Sequence, residues 1–532
     1  MSYCNCDLSA ANRAASVIVY CVYVSSRFTI FARNLTISLT NNYYARGLMN
    51  NITRETLKKV NNYVWEIPKS FRADMRAPAR IYASSQMLEE IFRDRSMWQI
   101  INVATLPGIQ KAAIAMPDIH EGYGFPIGGV AATATHEGGV ISPGGIGYDI
   151  NCGVRLLVSD FGLNEIKPHL ENLAAAMFHA VPSGVGRGGK LKFSEQELNH
   201  VLARGAARMV ELGYGAQDDL IHCEEGGSMA GADPEHVSSR AKSRGRDQLG
   251  TLGSGNHFLE MQVVDEVLLP DVAAAFSLSK GAIAVMIHCG SRGLGHQTCT
   301  DYVRLMLPQL ARWGIVLPDR ELACAPFDSP EGQKYFSAMA ASANFAWANR
   351  HLIAHNVREA WNSVLGRIDR LRTIYDVAHN IGKRETHQID GKEVEVIVHR
   401  KGATRAFGSG RPEIPEVYRA VGQPVFIPGT MGTASYVLVG TQTGMEAAFG
   451  TSCHGAGRRM SRAQAKRTVR GSELRQALEA RGIVVRCESD PGLAEEAPEA
   501  YKDVESVVDI VDKVGLAKKV ARLKPIAVIK GG

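Results

Sequence analysis

The sequence predicts one large α/β (α+β) body, with central β-sheets and helices packed around them. Three observations lead there. Motif-bearing segments follow one another continuously from residue 117 to 530, with no internal repeat, low-complexity tract or clear linker. Short apolar runs that read as strands are separated by stretches with helical periodicity. The composition of the 532 residues, 45% apolar and 21% charged, is that of a globular chain able to bury a large core.

The other bulk properties narrow the reading further. Fifty-three glycines point to many tight turns and loop-built sites. A net charge of +6 permits a nucleic-acid partner without arguing for one, because basic binding surfaces are local. Ten cysteines show no disulfide framework, which makes a reducing cytoplasm the default compartment. The longest apolar stretch, 15–24, is interrupted by tyrosines and too short to span a membrane, and no convincing cleavage pattern follows it. Residues 1–48 lack amphipathic period, whereas Met49 opens a segment of different texture. We therefore expect 1–48 to be an upstream extension outside the fold, consistent with a wrongly assigned start, and 49–532 to be the catalytic body.

Taken in order, a helical pattern begins at Thr53 and breaks at Ile67-Pro68. Residues 84–95 predict an amphipathic helix with Leu88, Ile91 and Phe92 on one face. The run 112–117 reads as a strand, and 117–129 (P-D-I-H-E-G-Y-G-F-P-I-G-G) as a loop too rich in Gly and Pro for a sheet interior. Strands are expected at 130–135, 153–158, 281–288, 374–378 and 394–399, and 425–428 leads into a glycine turn. Helices are expected at 163–180, 194–212, 236–248, 303–310 and 335–365, the last as a buried Ala-rich scaffold. The C-terminal part, 461–530, reads as helix-rich.

The chain is organised around 142–155, S-P-G-G-I-G-Y-D-I-N-C-G-V-R. Asp149 and Cys152 stand where a glycine-rich loop enters a strand. A carboxylate three residues before a cysteine suits a metal pair, although a capping Asp beside a core Cys would look the same. Histidines then recur in similar Gly- and Asn-rich settings, at His257, His288 and His379. Five potential ligands on separate strand ends suit two metals sharing a thiolate. The donor set fits Mn, Zn, Fe or Co, and the spacing is unlike a zinc finger's. Close metal pairs commonly stabilise charge on phosphorus during displacement.

His454 lies in T-S-C-H-G-A-G-R-R-M-S-R, read as a Gly loop running into a basic helix. It fits a nucleophile toward phosphate, or a hydrogen-bond donor in an anion-binding loop. Pro428 to Gly432 with Ser435 form a second glycine turn, suited to a base or ribose. Glu260 could accept from the N1–H and amino group of guanine, which would favour GTP over ATP. Lys530 would be a freely placed cation, or a frayed tail. The basic loop 185–192 is equally a solvated surface or a phosphate contact.

Together the segments P-D-I-H-E-G-Y-G-F-P-I-G-G, S-P-G-G-I-G-Y-D-I-N-C-G-V-R, G-T-L-G-S-G-N-H-F-L-E, H-C-G-S-R-G-L-G-H-Q, A-H-N, P-G-T-M-G-T-A-S-Y and C-H-G-A-G-R resemble the RtcB family of RNA ligases, in order from Met49 to the terminal I-K-G-G. The resemblance implies joining of RNA 2′,3′-cyclic phosphate or 3′-phosphate ends to 5′-hydroxyl ends, with GTP and two Mn(II) ions. Asp149, Cys152, His257, His288 and His379 would hold the metals, with Cys152 bridging. His454 would attack the α-phosphate of GTP and carry GMP. Asn256, His257, Phe258, Leu259, Glu260, His379, Asn380, Pro428, Gly429, Thr430, Met431, Ser435, Gly455, Ala456, Gly457, Tyr501 and Lys530 would surround the nucleotide. GMP would pass to the RNA 3′-phosphate and be displaced by the 5′-hydroxyl; a cyclic phosphate would first be opened by water at the same centre. Arg187, Lys190, Arg292, Lys401, Arg405 and Arg458 are candidates for RNA phosphates. The resemblance also implies tRNA halves or cleaved RNAs as substrates and the archease protein as an activator. Cys289, a thiol directly after His288, is a departure that could sensitise the site to oxidation.

Two rival functions use the same residues. A di-metal phosphohydrolase would need neither His454 nor a guanine pocket. An RNA-binding protein would keep the metals as structure.

Overall fold

Strands cover most of the apolar runs, and they assemble into two large sheets. The computed structural model describes residues 52–184, 186–366 and 371–531. The extension expected at 1–48 lies outside the described residues. From Thr53 onward the chain forms one unit.

The first sheet runs in the order Lys58–Lys59, Val64–Ile67, Ala79–Tyr82, Ala113–His120, Ile127–Ala134, Lys392–Lys401, Asn380–Ile389. The second runs Arg372–Ala378, Gly153–Gly162, Ala282–Cys289, Phe258–Val267, Ala517–Lys530, Ser435–Gly440, Pro424–Ile427, with Val484–Cys487 paired in parallel to Ala517–Lys530. The two sheets are consecutive in the chain at a single point. The Arg372–Ala378 strand belongs to the second, Asn380–Ile389 to the first, and His379 is the residue between.

Both faces of the second sheet are covered. Val154, Leu156 and Val158 pack with Phe258, Met286 and Val437 on one side. Leu157, Leu259, Val285 and Ile287 pack on the other with Leu173 and Met177 of the Leu170–Ala180 helix and Val357 and Trp361 of the long helix. That helix, Pro330–Leu365, starts as its sequence dictates: Pro330 follows Ser329, whose hydroxyl accepts from Gly332 N–H at 3.1 Å, and it ends on left-handed Gly366. Its alanines let it sit close to the sheet, so polar residues at its centre, Asn344, Asn349 and Arg350, are wholly buried.

Several expectations need correction. The segment from Thr53 is a single 3-10 turn, Arg54–Thr56, followed by strands; the buried Val64, Trp65 and Ile67 pair with Ala79–Tyr82, and tertiary pairing overrides the local helical pattern. In 117–129 only the centre is loop, because Ala113–His120 and Ile127–Ala134 extend into it. The register breaks between Ala115 and His120, around Pro117, which cannot donate to the ladder. The helix expected at 303–310 begins earlier, spanning Arg292–Met306. In the helix-rich C-terminal part lies the longest strand of the second sheet, Ala517–Lys530, hydrogen-bonded to three others. No helix among the described residues is long and apolar enough to cross a membrane.

Candidate metal centre and nucleotide pocket

Strand register explains why distant residues meet. Gly153 pairs with Cys289 and Ala378, and Val154 and Phe258 both pair with His288. Cys152, His257, His288 and His379 therefore stand at one end of the second sheet, where it adjoins the first. Cys152 Sγ lies 3.5 Å from His257 Nε2 and 3.2 Å from His288 Nε2; His257 Nε2 lies 2.8 Å from Asp149 Oδ2, and His288 Nε2 lies 3.2 Å from His379 Nε2.

Two donor groups result, Asp149/Cys152/His257 and Cys152/His288/His379, each with its ligand atoms within 4.8 Å of one another. Ligands about 2.0 to 2.3 Å from a common cation lie roughly 3.5 Å apart, so the donor set fits two divalent ions with the thiolate between them. His257 Nδ1 faces the Leu252 carbonyl at 2.9 Å, which turns Nε2 toward Asp149 and Cys152. Burial and the neighbouring imidazoles hold His288 and His379 well below their usual pKa, in the neutral form that ligates. Burial raises the Asp149 carboxyl, but the His257 contact outweighs this and holds it at about 2. Burial and the Asp149 charge push the Cys152 thiol up to about 12, so a bound cation must displace its proton.

The scaffold beneath these ligands was not legible in the sequence. Arg350, wholly buried on the long helix, donates to the carbonyls of Asn151 (2.6 Å) and Cys289 (2.9 Å), each the neighbour of a ligand. The same guanidinium is paired with Asp376, three residues before His379, and Arg155 shares that carboxylate. Asn349 accepts from Gly250 N–H and donates to the Gly290 carbonyl, tying the loop before His257 to the turn after His288. Arg350→Lys keeps a charge near Asp376 and loses the planar group that grips Asp376 through Nε and Nη2 while Nη1 donates to both carbonyls. We expect it to weaken binding of the metal pair by about 10- to 100-fold in a competition titration, with unchanged far-UV circular dichroism.

Asp149, Cys152, His288 and His379 open onto a cavity of about 420 Å³. Of the residues expected around the nucleotide, Asn256, Phe258, Glu260, His379, Asn380, Pro428, Gly429, Thr430, Met431, His454, Gly455, Ala456, Gly457, Tyr501 and Lys530 line it. Leu259 does not. It alternates with Phe258 and Glu260 along one strand, so its side chain enters the core on the opposite face. Ser435 lies behind the lining, where its hydroxyl accepts from Gly429 N–H and Gln262 and so shapes the 428–432 turn. Lys530 is neither free nor frayed. It ends the central Ala517–Lys530 strand, 3% exposed, 5.9 Å from the Phe258 ring.

Glu496, absent from the sequence-based set, is a buried carboxylate that accepts from Arg458, Arg462 and Tyr501. Burial lifts Glu260 to about 7 against the opposing effects of Gln262 and Lys530.

His454 follows the Thr451–Cys453 strand and does not open a helix; the basic helix starts at Arg462, capped by Ser461. Its partner is Asp118, at the end of the Ala113–His120 strand. Asp118 Oδ2 lies 2.6 Å from His454 Nδ1 and accepts from His454 N–H at 3.0 Å. Burial would raise the Asp118 carboxyl, but the His454 charge and hydrogen bonds outweigh it and hold it below the usual carboxylate range. Close packing fixes this corner: a Cβ at left-handed Gly457 would fall 2.3 Å from the Asp118 carbonyl oxygen. The His454 and His379 rings are 5.0 Å apart, so the imidazole and the metal donors face one space.

The six residues expected on RNA phosphates are placed unequally. Arg458 lines the cavity against Tyr501, and Lys401 lines it with its ammonium donating to the Tyr123 and Phe125 carbonyls. Arg187 and Lys190 are exposed, Arg187 pairing with Glu488, and Arg292 packs beside Thr251 and Gly253. Arg405 needs correction. It is 1% exposed, paired with Glu224 and Glu225, and serves the core. Cys289 is wholly buried and donates to the Leu252 carbonyl at 3.2 Å.

The chain matches known proteins over most of its length. The family model described as tRNA-splicing ligase RtcB matches residues 99–531. The tRNA-splicing ligase RtcB of Archaeoglobus fulgidus is 56% identical over 478 residues, covering 89% of this chain and 99% of that protein. That of Thermococcus kodakarensis is 54% identical over 478 residues, with the same coverage. The RNA-splicing ligase RtcB of Mycobacterium tuberculosis is 53% identical over 436 residues, 81% of this chain and 100% of its own length. With a match of this extent over the segments that build the metal centre and the pocket, the chain belongs to the RtcB family of RNA ligases.

Proposed function

We propose that this protein is a GTP-dependent ligase that joins RNA 2′,3′-cyclic phosphate or 3′-phosphate ends to 5′-hydroxyl ends through a histidine–GMP intermediate. The observation that carries the reading is His454, held at Nδ1 by a buried carboxylate and lining the same cavity as Asp149, Cys152, His288 and His379. A di-metal phosphohydrolase, in which water would be the attacking group, needs no such nucleophile. With Nδ1 engaged by Asp118, Nε2 is the free lone pair. Nε2 attacks the α-phosphorus of GTP, a nitrogen–phosphorus bond forms, and pyrophosphate leaves. The RNA 3′-phosphate then takes GMP from His454, and the 5′-hydroxyl attacks that activated phosphate and expels GMP.

Asp149, Cys152 and His257 would hold one Mn(II), and Cys152, His288 and His379 the other. When bound, the pair supplies electrostatic stabilisation of charge on phosphorus. Glu260 accepts from the guanine edge, and Lys530, Arg458 and Arg462 provide positive charge around the nucleotide. Arg458 and Lys401, with Arg187, Lys190 and Arg292 outside the cavity, are proposed to meet RNA phosphates. Substrates would be tRNA halves or cleaved RNAs, with archease as activator. The described cysteines are free thiols, which supports a cytoplasmic location.

The direct test uses α-labelled GTP and Mn(II) without RNA, followed by denaturation. A label on the protein that is acid-labile and base-stable is expected; no label on folded, metal-loaded protein would favour the phosphohydrolase.

The Glu260 carboxyl adds a pH signature. Only its ionised form accepts with both oxygens, from guanine N1–H and the amino group together, and its pKa lies near 7. GTP affinity should therefore rise with pH through about 7, level off above it, and fall up to about tenfold per unit below it. Equilibrium binding between pH 6 and 8.5 checks this, and Glu260→Gln should flatten the profile.

A further inference from the structure

Part of the cavity lining belongs to neither the metal donors nor the guanine pocket. Tyr123, Tyr148 and His296 form a run of rings on it. Tyr123 meets Tyr148 edge to face at 5.3 Å between centroids, and Tyr148 meets His296 at 4.8 Å. Tyr148 directly precedes Asp149, so the run begins one residue from a metal donor. Tyr123 is 41% exposed, and His296 is exposed on the Arg292–Met306 helix.

The backbone that presents Tyr123 is held firmly. Gln99 grips Gly122 through both its carbonyl and its N–H, at 2.7 and 3.0 Å. Lys401 Nζ binds the Tyr123 and Phe125 carbonyls at 2.7 and 2.8 Å. The Glu321 carboxylate accepts from Gly124 N–H at 2.7 Å, and Gly124 is left-handed with φ +65°. Three side chains from separate elements thus fix a short loop whose aromatic side chain remains partly in solvent. An exposed ring on a rigid loop is ready to bind a flat partner, because little conformational freedom is left to lose.

From this geometry we infer that Tyr123, with Tyr148 and His296 behind it, is a stacking platform for the unpaired nucleobase of an RNA end delivered to the metal centre. The inference rests on the RNA-ligase reading for its ligand class. Stacking on an aromatic face is tolerant of sequence, as expected for an enzyme joining ends of varied sequence, and it sets the terminal nucleotide beside Asp149 without base-specific hydrogen bonds. The base could come from the 3′-phosphate strand or from the 5′-hydroxyl strand. The chemistry is the same, and the experiment separates them.

The full-length, Mn(II)-loaded protein is titrated into two fluorescent single-stranded RNAs, one ending in a 3′-phosphate and one in a 5′-hydroxyl, each also made with an abasic terminal nucleotide. We expect Tyr123→Ala to weaken one of the two RNAs about tenfold, whatever its terminal base, and Tyr123→Phe to stay within twofold of wild type. Wild type should lose the same tenfold on the abasic form of that RNA, and Tyr123→Ala should lose nothing more. Binding of both RNAs within twofold of wild type by Tyr123→Ala would overturn the platform, as would losses that add. The abasic arm needs no variant, so it decides even if the substitution disturbs the loop. The GTP-labelling experiment fails or succeeds separately: no label with the stacking signal intact removes the ligase reading alone, and a label without the stacking signal removes the platform alone.

Discussion

His454→Ala should form no nucleotidyl adduct and should lose ligation by at least about 10⁴-fold, the scale on which removal of a nucleophile acts. The loss should be confined to chemistry. His454 is only partly buried, follows a three-residue strand, and is absent from both donor groups, so metal binding and folding should stay at wild-type levels. A metal titration and a thermal unfolding curve, run beside the labelling assay, separate a lost nucleophile from a lost fold. The rivals predict otherwise: a phosphohydrolase would keep its turnover, and a binding protein its affinity for RNA. Ligation retained by the variant would remove His454 from the mechanism.

The second large effect should come from Asp118→Asn. The carboxylate meets three donors, His454 Nδ1, His454 N–H and, at 3.4 Å, Gly455 N–H. As Nε2 bonds to phosphorus, positive charge develops on the ring, and a buried anion on Nδ1 stabilises it while fixing the tautomer. An asparagine oxygen in the same place keeps the shape and removes the charge. If its amide group turns inward instead, it faces donors and favours the wrong tautomer. Either way the adduct should form about 10²- to 10⁴-fold more slowly, as in other imidazoles deprived of their carboxylate. GTP and metal affinity should change no more than about twofold. A rate within threefold of wild type would show that Asp118 only braces the loop. Because Asp118 is held below the usual carboxylate range, this support should persist through neutral pH and fail only in acid, as the carboxyl protonates.

Particular residues show what could be read from the chain and what could not. Asp149, Cys152, His257, His288 and His379 were legible as candidate ligands because each sits in a short Gly- or Asn-rich turn at a strand end, and those turns are local features of sequence. Three of the eight strands of the second sheet, Gly153–Gly162, Ala282–Cys289 and Arg372–Ala378, were legible as apolar runs; the Pro330–Leu365 helix from residue 335 onward and the 428–432 turn were legible too. The misreadings occurred where pairing partners are distant. Lys58–Ile67 has helical texture but is held as strand by Ala79–Tyr82. Ala517–Lys530 is a strand because Phe258–Val267 and Ser435–Gly440 flank it, and that pairing buries Lys530. Arg405, placed among basic residues in sequence, is drawn inward by Glu224 and Glu225.

By itself the sequence determined the family and offered the candidate ligands and candidate nucleophile, because donor chemistry and turn geometry are written over a few consecutive residues. Only the tertiary structure decided which groups act together. Asp118 and His454 are 336 residues apart in the chain, and Arg350 reaches Asn151 across 199. Contacts of that separation leave no periodicity or spacing to read. They exist because the strands are in register and because burying a charge demands a partner, which Asp376 gives to Arg350 and His454 gives to Asp118.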